Sequence, residues 1–377
     1  MSRVAFAGRS AVIAFGLALS LVASLGCGKK FELPNQTPSN VTPGEDTYFV
    51  KFRWSGFAGA TDLLMTRGGQ VFVAEPRPGA PDSARVRIYQ RSKVNPTPTG
   101  VELPDLIRPV RLAEGRRDTI FVLDDADPPA VRRYSPDGLR HLDSFSDDAW
   151  VSIVDDTSRV GAGIQRVTNS TIVLRGLAAD AENNVFVAWI DSTFQFDRNL
   201  LDPTGADTTT SVVVSNTIAK YSVDGVLLET IATEGSGTGF VDGPGGIQTS
   251  GDALIYADIN KNWVQLVDGD APSSPIFFID GLSITDDPGL DAPLDVAADD
   301  SGSIYIADTG NGRVLRFDRD GAFDQRVDLA AGGNGGGAGE AVEPVALTAN
   351  TQLVYVLDRG LGEILVFELR STLEDTE

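Results

Sequence analysis

One short strand pattern recurs six times along this chain, and that repetition limits the possible folds more than any other feature. Each copy is a four-residue apolar run that ends in an acid, except in the third copy, which ends in tryptophan. The copies lie at 72–75, 121–124, 186–189, 255–258, 305–308 and 355–358. Their starting positions are 49, 65, 69, 50 and 50 residues apart. Such a period predicts an array of similar supersecondary units.

Further strand signals flank each copy. A second strand follows it, with two apolar residues three positions apart, as in Val314 and Phe317, and an earlier strand precedes it, as in 295–298. Turn dipeptides such as Asp320-Gly321 separate strands, because tight hairpins favour residues that accept positive φ. No segment shows a sustained helical period. Six such units predict an all-β fold, a six-bladed β-propeller with four antiparallel strands per blade.

The two ends of the repeat array differ in strand content. The sixth unit ends near Glu368 with almost no chain left for a fourth strand, whereas residues 47–53 have strand character and no partner of their own. The sequence therefore predicts that 47–53 supplies the outer strand of the last blade and closes the ring. The alternative is that this segment packs across one face of the propeller.

Residues 293–321 resemble an NHL repeat, and the other units share its strand skeleton over about residues 55–370. Units 1 and 3 depart from the loop signature, with Glu75 and Trp189 where Asp is usual. The resemblance implies a six-bladed propeller of the NHL type, in which Arg313 pairs with a carboxylate and holds a turn. It implies no particular activity, because NHL propellers serve many roles.

The N-terminus is typical of an exported protein. Arg3 and Arg9 precede an uncharged apolar run at 11–25, as in a secretory signal peptide. Cys27 is the only cysteine, and its setting resembles a bacterial lipobox, in which the cysteine becomes the lipidated first residue. Ser24 stands where that pattern usually has leucine.

These features predict a lipoprotein signal peptide over 1–26, a flexible tether over 27–46 and the propeller over 47–377. Gly28 lacks the Asp that commonly retains lipoproteins in the inner membrane, so the resemblance implies an outer-membrane lipoprotein. It would bind the membrane through its lipid anchor and face the periplasm or the exterior. The alternatives are a plain signal peptide, which would give a secreted protein, and a short membrane anchor.

Two long excursions map to neighbouring loops on one face of the propeller, the top. The gap between the second and third strands of unit 3 is 29 residues, against 6 in units 4 to 6, and the link 147–172 into unit 3 is also long. We expect a hairpin over 190–216, with Trp150, Phe194 and Phe196 as candidates for ligand contact. The alternative is that exposed loops vary in length at little cost.

Three charged residues take equivalent positions at the starts of inner strands, near the central channel. The carboxylates of Asp62 and Asp295 are candidate ligands for Ca²⁺, which prefers oxygen donors, and Arg111 is a candidate contact for a small polar ligand. The alternative is that all three cap the strands and bond channel water.

Composition narrows the function. Of 377 residues, 31 are Lys or Arg and 53 are Asp or Glu; the formal charge of −22 argues against a nucleic-acid partner. One cysteine and one histidine exclude a disulfide framework, a His/Cys zinc cluster and the several histidines of amidating-lyase NHL enzymes. The sequence favours a non-catalytic module that binds a protein, a glycan or another envelope component. The alternative is a Ca²⁺-dependent hydrolase or lyase, similar to propeller lactonases, with its site at the channel mouth.

Overall fold

The computed structural model describes residues 46–90, 96, 98–161, 163–201, 208–269, 275–282, 284, 289–327, 329 and 342–371. The predicted signal peptide, Cys27 and almost all of the predicted tether lie outside the described residues. Within those ranges, no helix is long and apolar enough to cross a membrane.

The described strands form six antiparallel sheets, the blades, arranged in chain order around a ring. The first strand, β1 (Asp46–Ser55), belongs to blade 6. Blade 1 contains β2 (Asp62–Met65), β3 (Gln70–Arg77), β4 (Ala80–Gln90) and β5 (Pro98–Glu102), and blade 2 contains β6 (Pro109–Glu114), β7 (Ile120–Asp124), β8 (Ala130–Tyr134) and β9 (His141–Phe145). Blade 3 contains β10 (Asp156–Gly161), β11 (Ile164–Ala179), β12 (Val185–Asn199), β13 (Thr208–Tyr221) and β14 (Leu227–Thr233).

The remaining blades have four strands each. Blade 4 contains β15 (Pro244–Ser250), β16 (Ala253–Asp258), β17 (Trp263–Asp268) and β18 (Pro275–Ile279). Blade 5 contains β19 (Pro293–Ala298), β20 (Ile304–Asp308), β21 (Arg313–Phe317) and β22 (Phe323–Val327), and blade 6 contains β23 (Pro344–Ala349), β24 (Leu353–Asp358) and β25 (Glu363–Ser371) with β1. Three short 3-10 turns, Arg116–Asp118, Asp148–Trp150 and Thr309–Asn311, complete the described elements. The six-bladed all-β prediction is confirmed.

The repeated run in the second strand of each blade is apolar because it is buried on both faces. In β7, Phe121 and Leu123 pack between blades 2 and 3, whereas Ile120 and Val122 pack between blades 1 and 2. Alternate residues of a strand point to opposite faces, so one strand contributes to two inter-blade cores. This explains why the repeat appears in the sequence as a continuous apolar run.

Closure of the ring follows the expected route. Strand β1 pairs antiparallel with β25 as the outer strand of blade 6. Trp54 of β1 is fully buried, with ring centroids 5.6 Å from Tyr355 and 6.2 Å from Tyr89. Because Tyr89 belongs to blade 1, Trp54 packs where the last blade meets the first, and the prediction that the N-terminal strand closes the ring is confirmed.

The NHL signature residues of blade 5 hold the loop that enters the blade. Asp308 is fully buried and accepts a hydrogen bond from the Asp291 backbone N–H at 2.7 Å. The Arg313 Nε donates to the same carboxylate at 2.6 Å, and the Asn311 amide donates to it at 2.9 Å. The predicted pairing of Arg313 with a carboxylate is confirmed.

Candidate functional site

The largest departure from the repeat is a sheet that extends from blade 3. Strands β12 and β13 continue past the ring as the hairpin expected over 190–216, and β11 and β10 run beside them. We call this four-stranded extension the projecting sheet and define it as residues 156–161, 164–174, 189–199 and 208–216. The tip of the hairpin, at 202–207, lies outside the described residues.

Much of the link into blade 3 is strand rather than loop. Strand β11 begins at Ile164, inside the link, and pairs with β12 along its whole length. Residues before β10 also run along β11, since Ile153 and Ser170 exchange backbone hydrogen bonds of 3.2 and 2.8 Å. The two excursions predicted from the sequence therefore form one sheet.

A tryptophan stands at the end of the ring portion of β12, where the extension starts. Other blades have an acid at this position, such as Asp308, which binds the backbone of the incoming loop. Trp189 cannot accept such a bond, and it packs edge-on against Trp150, with ring centroids 6.4 Å apart. Both strands of the hairpin continue past Trp189 into the projecting sheet.

The base of the projecting sheet is an aromatic cluster. Trp150 is fully buried, and its ring centroid lies 5.3 Å from that of Tyr221 and 5.9 Å from that of Phe145. The Tyr221 hydroxyl donates to Asp147 at 2.8 Å. The structure thus places Trp150 in the core between blades 2 and 3, where it supports the sheet and does not face a ligand at the surface.

The projecting sheet has one apolar face. Strand register places Phe194 between Asn169 and Val212, and Ile190 opposite Val173, and directly paired residues share a face. We call this surface the apolar face; its apolar members are Val167, Val173, Ile190, Phe194, Phe196, Val212 and Val214. Val173, Phe194, Val212 and Val214 are 37%, 44%, 55% and 48% exposed.

The apolar face is continuous with a buried surface of the ring. Ala188 and Ile218 lie on the same side of blade 3 and pack in the core against blade 4. Beyond the ring, the same side of the sheet is open to solvent at the four exposed residues of the apolar face. Phe196 is half-buried, with the Arg198 guanidinium 5.7 Å from its ring centroid. The candidate residues Phe194 and Phe196 therefore lie together on an open face.

The opposite face of the projecting sheet carries paired polar groups beside two exposed apolar residues, Ile164 and Val213. The Arg166 guanidinium makes two bonds to Asp197, at 2.9 and 3.1 Å, and the Ser211 hydroxyl donates to Gln195 at 3.2 Å. Exposed apolar side chains that lie together, as on the apolar face, mark a candidate interaction surface.

The channel residues bridge neighbouring blades. Asp62 accepts a hydrogen bond from the backbone N–H of Leu112, one blade on, at 2.7 Å, and Asp295 does the same with Leu347 at 2.8 Å. Arg111 donates to the carbonyl of Arg175 in blade 3 at 2.5 Å. Each side chain thus ties its own inner strand to the next.

The channel narrows at these residues. A cavity of about 30 Å³ lies among Asp62, Arg111, Gly246 and Asp295, enough for about one water molecule. A Cβ at Gly246 would lie only 1.7 Å from an Asp295 oxygen, so glycine leaves room for that carboxylate. The cavity is too small for an organic ligand.

Burial dominates the electrostatics of the channel. It raises the pKa of Asp62 to about 7 and that of Asp295 to about 6. The Arg111 guanidinium, 3.7 Å from an Asp62 oxygen, opposes both pKa shifts. Repulsion from the Asp295 carboxylate raises the pKa of Asp62 further. The pair is therefore able to hold a proton near neutral pH.

Metal and base candidates are few in the part of the chain that the structure describes. It contains no group of three or more His, Cys, Asp or Glu side chains placed to hold a metal ion, and Ca²⁺ at Asp62 and Asp295 stays a prediction. His141, the only histidine of the chain, lies in the outer strand β9, where its ring packs on Tyr134 with centroids 5.3 Å apart.

A wider cavity lies at the other end of the channel. Its volume is about 840 Å³, and its wall includes the turns after the inner strands, with Arg67, Glu114, Asp300 and Arg319. Burial raises the pKa of Glu114 to about 7, although its carboxylate accepts the Arg67 backbone N–H at 3.0 and 3.1 Å. Sequence reasoning missed this cavity because its residues come from separate turns with no shared motif.

Comparison with known proteins defines the class. Residues 290–317 match the NHL repeat family, which covers the blade 5 strands β19 to β21. No curated protein sequence is significantly similar to the chain. With six blades, five of four strands and one of five, and with this repeat, the fold is a six-bladed β-propeller of the NHL type.

Solved structures support the fold alone. A catalytically inactive His-to-Ala variant of virginiamycin B lyase from Staphylococcus aureus with quinupristin aligns at a TM-score of 0.50 and 9% identity, over 86% of this chain and 100% of that chain. A streptogramin B lyase aligns at a TM-score of 0.51 and 12% identity, over 86% of this chain and 98% of that chain. A nidogen–laminin complex aligns at a TM-score of 0.44 and 15% identity, over 71% of this chain and 78% of that chain. This likeness is too weak to carry an argument.

Proposed function

We propose that this protein is a lipid-anchored envelope module that captures a protein partner on the apolar face of the projecting sheet and performs no catalysis. The observation that carries the proposal is the open row of Val173, Phe194, Val212 and Val214 on a sheet that the aromatic base fixes to a rigid ring. Burying such side chains contributes roughly 25 cal/mol per Å² of apolar surface.

The charge of the chain supports a basic partner. The formal charge is −22, and loss of residues 1–26 would remove Arg3 and Arg9 and change it to 29 − 53 = −24. A strongly negative field accelerates the approach of a positively charged protein, whereas the apolar face supplies affinity once the two meet. An anionic glycan or lipid would be repelled, so we place a protein ahead of a glycan as the occupant.

The anchor supports a location at the outer membrane. Lipidation of Cys27 would tether the propeller, and several acyl chains would hold it firmly, since each buried CH₂ contributes about 0.8 kcal/mol. Replacement of Cys27 by Ala should release the protein from detergent-extracted membranes. Equal membrane binding by this variant would contradict the lipoprotein assignment.

The enzymatic alternative places a Ca²⁺-dependent hydrolase or lyase site at Asp62 and Asp295. Both carboxylates already accept backbone hydrogen bonds, and Arg111 lies beside them. Calorimetric titration of the purified protein with Ca²⁺ separates the two functions. One stoichiometric ion, lost in Asp295→Asn, would favour the enzyme, and no binding is expected from the proposal.

The direct test compares the two faces of the projecting sheet. Val173→Ser/Phe194→Ser removes two exposed apolar side chains from the apolar face without touching its edges. Ile164→Ser, on the opposite face of the sheet and 39% exposed, is the control. The double variant should lose at least about 90% of the partner captured from an envelope extract, since two apolar contacts contribute more than about 1.4 kcal/mol.

Both variants should keep the melting temperature of the parent, because all three positions are exposed. Equal capture by the double variant and the parent would overturn the assignment of this face. Loss of capture in Ile164→Ser but not in the double variant would move the site to the opposite face.

A further inference from the structure

The outer half of β13 leaves an open strand edge. Strand β14 pairs with β13 only from Thr217 to Tyr221, whereas β13 pairs with β12 from Thr208 onward. Among the described residues, no strand pairs with the other side of β13 above Thr217. The side chain of Asn216 contacts Glu234, which marks where the neighbouring loop begins to cover the edge. Within the described residues, the segment Thr208–Ser215 thus has one side without a strand partner.

This edge lacks the usual protection against pairing. Its sequence, from Thr208, is Thr-Thr-Thr-Ser-Val-Val-Val-Ser, with no charge, proline or glycine. The opposite edge of the same sheet carries Asp155, Asp156 and Arg159. Charged or proline residues are the common means of blocking edge-to-edge association. Every outer strand of a blade also carries a charged residue, except β18, which begins with proline.

The edge is also complementary to itself. Residues Ser211–Ser215 read Ser-Val-Val-Val-Ser in both directions. A two-fold axis at Val213 would place Val213 opposite its own copy, Val212 opposite Val214 and Ser211 opposite Ser215. Such an isologous contact needs one surface to match itself, and like cross-strand pairs of β-branched residues are favourable.

We propose that two copies of this chain associate through the β13 edges, in an antiparallel ladder over Ser211–Ser215, to form one continuous sheet. The local two-fold axis lies perpendicular to that sheet, so the apolar faces of both copies fall on the same side. Val212 of each copy then continues the row of Val214 in the other. This inference rests on the strand edge and not on the proposed function, and it doubles the apolar face if both hold.

Overall charge does not prevent this association. Each copy carries −22, but repulsion between exposed charges more than about 8 Å apart is largely screened at physiological ionic strength. The contact strands themselves are neutral. The dimer should therefore strengthen as salt is raised, which is opposite to the behaviour of an ion-paired interface.

The test uses sedimentation velocity on the purified full chain at micromolar concentration. The wild-type protein should sediment as a dimer, as a species with twice the mass of the monomer. Val213→Lys places two like charges opposite each other on the axis and should weaken the dimer by at least about tenfold. Val160→Lys is the matched control, because Val160 is 50% exposed and lies on the opposite edge strand.

A charge-swap experiment distinguishes loss of the dimer contact from misfolding of the variants. Val213→Lys and Val213→Glu should each be monomeric alone, and an equimolar mixture should regain the dimer through a Lys–Glu pair. A wild-type monomer at every concentration and salt tested would overturn the inference. So would a dimer that persists in Val213→Lys, or a mixture that stays monomeric when both variants melt like the parent.

Discussion

Replacement of Trp54 by alanine tests how the propeller closes. Trp54 lies in β1, is fully buried, and packs on Tyr355 within blade 6 and on Tyr89 of blade 1. The indole therefore belongs to the core that joins the two ends of the repeat array. Its removal leaves a cavity that the ring cannot easily fill, because β1 stays paired with β25 along its length.

The expected cost is about 3–5 kcal/mol, the usual range for a buried tryptophan replaced by alanine. For a domain of this size, each kcal/mol lowers the melting temperature by about 2 °C, so we expect a fall of about 6–10 °C. Thermal unfolding followed by circular dichroism measures it.

Arg53→Ala is the matched control in the same strand. Its guanidinium lies 3.2 Å from Glu363 at a half-exposed site, so its loss should cost less than about 1 kcal/mol. A melting temperature of Trp54→Ala equal to that of Arg53→Ala would refute the conclusion that β1 carries the closure of the ring.

Three further predictions concern the channel, the NHL pair and the projecting sheet. Burial raises the pKa of Asp62 to about 7, above its value near 4 in the unfolded chain. The folded state therefore holds this proton more tightly than the unfolded chain, and the stability that the proton contributes is lost as pH rises. The free energy of unfolding of the wild type, relative to that of Asp62→Asn, should fall between about pH 4 and 8. Arg313→Ala removes the guanidinium beside the buried Asp308 carboxylate and should lower the melting temperature by about 6–10 °C, whereas an unchanged value would show that the ion pair is dispensable. Replacing 155–171 and 192–214 together by short Gly-Ser linkers should keep the ring folded but abolish fluorescence enhancement of the apolar dye ANS; unfolding of this variant would contradict an independent ring.

The sequence contains enough information for the ring because each blade repeats the same buried strand. Phe121 and its counterparts are apolar in every copy, and the acid or tryptophan after them is easily seen. The channel positions Asp62, Arg111 and Asp295 also follow from the repeat, since equivalent residues of equivalent strands meet at the axis. Their hydrogen bonds to the next blade do not follow, because those depend on the spacing between inner strands.

The sequence predicts the hairpin of the projecting sheet but not its outer strand β10. The hairpin is apparent from apolar runs near Phe194 and Val212, but β10 has a single apolar residue, Val160, and gives no alternation. Its strand conformation comes from pairing with β11. From the sequence, Trp150 is a candidate contact residue because it lies in a long link; the packing of blades 2 and 3 shows that it is buried. Trp189, in place of an acid, is the signal that points to the extension.

The central claim, that the apolar face of the projecting sheet binds a protein, is tested most directly by a photo-crosslinking scan along β12 in intact cells. A photoreactive residue is placed in turn at each position from 190 to 197. Because alternate residues of a strand point to opposite faces, positions 190, 192, 194 and 196 should give one discrete adduct, and 191, 193, 195 and 197 should give none. Adducts without this alternation, or only at the odd positions, would contradict the claim.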